Sequence, residues 1–216
     1  MYSFLLFSLI LLVIWALLYW KGNLKKEMLK LSLVTLFAGF TEILFVPSYW
    51  TPVTLLGDPK LGIEPFIFCF PLGGICTAIY QVLFKIKFRK NSKKIKNNSL
   101  LLIGPAVIWF FYMILKTSFM NSVLVGFFVD ILIILFLRRD LFRTVLISSI
   151  LFTVVYFAIF GFLIIINNEF LGMWNLKELN VIPGIGIPIE EVLWALLSGG
   201  LLGGSYKFIK GLEPVK

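Results

Sequence analysis

The sequence predicts an all-α membrane protein of seven transmembrane helices, arranged as a 3+1+3 parallel internal repeat. The amino terminus is expected outside and the carboxyl terminus in the cytoplasm. Three observations carry this: an apolar composition, a charge asymmetry between connections, and a motif written twice. Of 216 residues, 60% are hydrophobic, 17% aromatic and only 14% charged, unlike a soluble domain.

Crossing a hydrocarbon core takes about 20 apolar residues, or about 17 at the short end. Seven stretches qualify: 2–20, 31–47, 65–84, 99–118, 121–137, 144–166 and 189–206. The first reads as a span and not as a leader peptide. No basic region precedes it, no small-residue cleavage site follows, and Lys21 stops transfer. The fifth is short and contains Asp130, which reads either as a buried polar partner or proton-path residue, or as the sign of a misplaced boundary.

Lysines and arginines gather in 21–30, 85–96, 138–143 and after Tyr206, which together hold 17 of the chain's 20. Basic connections stay cytoplasmic, and seven spans fit that rule throughout. The net charge of +9 and the run 88–96 therefore read as topology and attraction to anionic headgroups, with no nucleic-acid partner. Cys69 and Cys76 lie seven residues apart on one helix, about 10 Å along its axis. They cannot bridge each other, and no metal site or cofactor is expected.

The duplicated motif is Ile63-Glu64, Gly73-Gly74 and Tyr80 against Ile189-Glu190, Gly199-Gly200 and Tyr206, a constant offset of 126 residues. Trp50 and Trp174 precede the two glutamates. Three units follow: residues 1–97 as a first three-helix repeat, 98–118 as a linking transmembrane helix, and 119–216 as the second repeat. A three-helix unit reverses direction, so a linking helix is needed to relate the halves by an axis along the membrane normal. The glycines predict close packing of the third and seventh spans against neighbours.

Glu42, Glu64, Glu190 and Glu191 fall at a similar depth near one membrane face. One glutamate in a first helical turn is satisfied by the helix dipole alone. Four at matched depth point to chemistry, because carboxyl groups gathered in a dry site cannot all ionise. One of them is then a candidate general acid. The proline- and glycine-rich loops 47–62 and 167–188 carry Tyr49, Trp50 and Trp174, which read either as an interfacial aromatic belt or as substrate lining. Phe68 and Trp194 lie near the acids, with ring faces that attract cations.

Pro188-Ile189-Glu190-Glu191 ahead of an apolar helix resembles the Pro-x-Glu-Glu/Asp signature of membrane-integral lycopene cyclases of the heterodimeric or fused type. Trp50-Thr51-Pro52, Gly62-Ile63-Glu64 and Gly73-Gly74 extend that resemblance into the first half. It implies a cofactor-independent isomerase of carotenoid biosynthesis in the cell membrane, acting on a linear carotenoid or another isoprenoid. Protonation of a terminal double bond, ring closure and proton loss would follow in turn. Glu190 and Glu191 would inherit the motif's catalytic role, with Glu64 and Glu42 beside them. Trp50, Trp174, Trp194 and Phe68 would line the substrate. One departure stands out: Pro65 occupies the position matching Glu191, so the halves carry different chemical equipment. Competing readings are a small-solute carrier of 3+1+3 layout and a non-catalytic lipid-binding protein. A retinal protein would need a lysine inside the last span, and Lys207 falls at its end.

Overall fold

The computed structural model describes residues 2–60, 62–90 and 98–215. Residues 91–96 of the expected basic segment 85–96 lie outside them. The described chain is helical, apart from a two-stranded pairing. Helix α1 is Ser3–Lys21, α2 Lys25–Leu36, α3 Glu42–Phe45, α4 Glu64–Phe84, α5 Ile103–Trp109, α6 Phe119–Leu137, α7 Phe142–Ile166 and α8 Ile189–Lys210. A 3₁₀ segment, Phe37–Thr41, joins α2 to α3 in one run, Lys25–Phe45. Six helical runs are long and apolar enough to cross a membrane.

The expected fourth span, 99–118, is a shorter element than predicted. Its helical run is Ser99–Ile114, roughly 24 Å at about 1.5 Å per residue. It ends in a π-helical turn, Phe110–Ile114. Lys116 then adopts a left-handed φ of 54°, and the Thr117 N–H donates back to the Phe111 carbonyl. The polar triplet Lys116-Thr117-Ser118 marks this reversal, which the expected span ran through. The run lies antiparallel to α6, with Tyr112 against Phe119 at a ring separation of 5.3 Å and Ile108 against Gly126.

Asp130 belongs to this contact. Its carboxylate accepts the Gly104 N–H at 2.9 Å, one of the unpaired donors at the start of α5. A Cβ at Gly104 would stand 2.2 Å from that carboxylate, so only glycine admits the bond. The mid-helix acid is a receiver for a helix end.

Helices α4 and α8 form the centre. In their most apolar windows 61% and 56% of residues are buried, against at most 39% in the other runs. Helices α1 and α2 pack on α4, α6 and α7 pack on α8, and α4 meets α8. The duplicated glycines make these approaches close. A Cβ at Gly73 would lie 2.4 Å from the Leu31 carbonyl oxygen, and one at Gly199 would lie 2.9 Å from that of Ser148. Gly74 faces Trp15 and Ser32, while Gly200 faces Ile131, Val145 and Ser149. The first pair thus meets α1 and α2, and the second meets α6 and α7.

At one end of the bundle the two long loops zip together. The Thr51 N–H donates to the Met173 carbonyl at 2.7 Å and the Asn175 N–H to that of Tyr49 at 3.0 Å. Trp50 pairs with Trp174 between these bonds, ring centres 5.4 Å apart. At the other end, strand β1 (Phe88–Lys90) pairs antiparallel with β2 (Leu212–Pro214). Fully buried Lys207 donates there to the Thr77 carbonyl and hydroxyl, with Glu27 at 3.6 Å. This lysine is a clamp joining α8, α4 and α2.

Overpacking a tight helix contact costs roughly 1–3 kcal/mol. We therefore expect Gly73→Ala to lower the thermal midpoint in detergent measurably. Gly172→Ala should leave it unchanged, since a Cβ at Gly172 meets nothing within 4 Å. Equal midpoints for the two variants would contradict the packing described.

Candidate functional site

Glu191 is the focus of the site. It lies in the first turn of α8, 5% exposed. Its Oε1 accepts from the Tyr49 hydroxyl at 2.9 Å and the Trp174 indole N–H at 2.7 Å, and its Oε2 accepts from the Tyr156 hydroxyl at 2.8 Å. These donors come from the loop before α4, the loop before α8 and the middle of α7. Burial, and after it the Glu191 charge, push the Tyr49 phenol up from its ordinary value, so it stays a proton-bearing donor.

Glu191 and Glu42 both line an elongated cavity of about 360 Å³. Glu42 opens the short α3, is 9% exposed, and lies within hydrogen-bonding reach of Trp50. Its Oε1 has no hydrogen-bond partner among the described residues. Trp50 and Trp174, packed against each other, therefore each serve one carboxyl group. About half of the cavity-lining residues are aromatic. Phe68 stacks on Trp194 at 5.9 Å, Tyr156 lies 5.5 Å from Trp194, and Phe7 lies 4.9 Å from Tyr156. The substrate-lining residues expected from sequence, Trp50, Trp174, Trp194 and Phe68, all border this cavity.

The duplicated glutamates are placed differently. Neither Glu64 nor Glu190 is among the cavity-lining residues. Glu64 Oε1 accepts the Leu55 N–H at 2.6 Å, and Glu190 Oε1 accepts from the Asn180 side chain at 3.1 Å and its N–H at 3.4 Å. Each fastens the loop that leads into its own helix. Adjacent residues in a helix point about 100° apart, so Glu190 holds a loop while Glu191 faces the cavity. The site also contains Tyr156, Phe7 and Cys69, which sequence reasoning passed over. For Tyr156 a signal existed: a hydroxyl in the middle of an apolar helix requires a partner.

Trypsin provides a test, because Lys60 and Lys177 lie in the two loops. Glu64→Ala should accelerate cleavage at Lys60 and Glu190→Ala at Lys177, while Glu42→Gln should leave both rates as in the unaltered protein. Unchanged cleavage in both alanine variants would remove the loop-fastening role.

Comparison with known proteins adds one match. Residues 116–209 fit the family model described as lycopene cyclase. No curated protein and no solved structure matches the chain. The matched stretch contains α6, α7, α8, Tyr156, Trp174, Glu191 and Trp194, while Glu42 and Tyr49 lie before it. Over residues 116–209, this membrane protein is similar to the lycopene cyclase domain family.

Proposed function

We propose that the protein is a multi-pass enzyme of the cell membrane that cyclises the end group of a linear carotenoid by acid-initiated isomerisation. The observation that supports this best is the pairing of Glu42 and Glu191 on one aromatic, largely apolar cavity. A carotenoid is the substrate class the family match implies, and an apolar chamber suits a polyene end.

In this reading Glu42 is the acid. Its unpartnered oxygen leaves it able to hand a proton to the terminal carbon–carbon double bond. The resulting cation is attacked by an inner double bond, forming the ring's carbon–carbon bond and moving the positive charge into the ring. Phe68, Trp194, Phe7 and Tyr156 present ring faces to that charge. Glu191, with donors on both oxygens, acts as counter-charge and accepts the proton lost when the ring alkene forms. No atom is gained or lost overall. The proton must pass from Glu191 back to Glu42 before the next turnover. Glu64 and Glu190 hold the loops that bring Tyr49 and Trp174 to Glu191.

The architecture belongs to the same proposal: repeats 1–97 and 119–216, linked through 98–118, amino terminus outside. The equivalent surroundings of the two glycine pairs and the meeting of Trp50 with Trp174 support it. A small-solute carrier would call for a polar path, which this chamber does not offer.

Expression in cells that accumulate lycopene should yield a monocyclic or bicyclic carotene, resolved by chromatography. Glu42→Gln and Glu191→Gln should each lower conversion by about 100-fold or more, whereas Glu190→Gln should retain most of it. Lycopene left intact by well-expressed protein would rule out this substrate. A Glu190→Gln loss as deep as that of Glu191→Gln would return Glu190 to the chemistry.

A further inference from the structure

Three residues that line the cavity are also exposed on the protein surface, and they lie on two elements. Ala38 belongs to the 3₁₀ segment Phe37–Thr41, while Pro105 and Trp109 belong to α5. Among the described residues, every other lining side chain is buried or half-buried. The cavity therefore has one mouth in the side of the bundle, between these elements.

Its depth follows from the α5–α6 contact. Gly104 stands beside Asp130 and Ile108 against Gly126, so 105–109 lies level with the middle of α6 (Phe119–Leu137). The surface around the mouth is apolar: Phe37 is 67% exposed, Phe40 63%, Met113 53% and Ile114 66%. An opening at mid-helix height with such a rim faces hydrocarbon and not water. Both bordering elements depart from α-helical geometry at the mouth, one as a 3₁₀ segment and the other as the π turn that begins just after Trp109. Irregular backbone within an apolar helix is tolerated where it borders a cavity, and it often marks a functional hinge.

We propose that the chamber is loaded sideways from the hydrocarbon, by an apolar ligand entering end-first between the Phe37–Thr41 segment and α5. Trp109 gates the mouth. Glu42, next after Thr41, is the first carboxyl group the entering end meets, and Glu191 lies farther in, fastened by its three donors. This rests on the reading of the cavity as the substrate chamber, and it makes that substrate a molecule dissolved in the bilayer.

The test uses the full chain in phosphatidylcholine vesicles with an aryl diazirine that partitions into the bilayer, its adducts mapped by mass spectrometry. The probe should label chamber residues such as Phe45 and Phe68. Ala38→Trp should cut that interior labelling several-fold while Val34, 67% exposed on the same run, labels as before. Trp109→Ala should raise interior labelling. Interior labelling indifferent to both substitutions, or obtained only with a water-soluble diazirine, overturns the mouth. Lycopene conversion is scored separately. Intact gating without cyclisation removes the carotenoid reading and keeps the mouth; cyclisation without gating does the reverse.

Discussion

The structure turns on one buried carboxyl group. Glu191 sits where water cannot solvate it, so its oxygens must be met by protein donors. Tyr49, Tyr156 and Trp174 supply them. Leaving such a group short of a donor costs roughly 1–3 kcal/mol per missing bond, so the three donor elements are held in register by the same acid. Tyr49 comes from the loop before α4, 142 residues away in sequence. One side chain thus fixes the loop before α4, the loop before α8 and the middle of α7 at a single point.

Much of this was legible in the sequence. Composition and the positions of Lys and Arg announced an apolar helical protein, and the paired glycines announced where helices approach most closely. Trp50 and Trp174, noticed for their spacing from the glutamates and as candidate substrate lining, pack on each other. The division of labour among the acids was harder to read. Glu190 belongs to the repeated pattern and Glu191 does not, yet Glu191 faces the cavity and Glu190 holds a loop. The duplicated motif marks what Glu64 and Glu190 share, which is a fastened loop. The acid outside the motif is the one that faces the cavity, and Pro65 stands at its matching position.

Other features lay beyond a one-dimensional reading. The shortness of the 98–118 element depends on a left-handed Lys116 and a backward hydrogen bond from Thr117, a backbone geometry that the polar Lys116-Thr117-Ser118 alone does not specify. Asp130 stayed open between a buried polar partner, a proton-path residue and a misplaced boundary, because its partner is a backbone N–H, which no side-chain pattern displays. Lys207 was weighed only as a retinal-type lysine and set aside for lying at a helix end, because its role depends on Thr77 and Glu27 arriving from two other helices.

The backbone zipper between the loops has a further consequence. Paired through Thr51, Met173, Asn175 and Tyr49, the loops roof the chamber above both carboxyl groups. For the proposed chemistry that roof selects the product. A carbocation open to water ends as an alcohol, while one confined beneath a closed roof can only surrender a proton. Two short main-chain hydrogen bonds would then separate an isomerase from a hydratase.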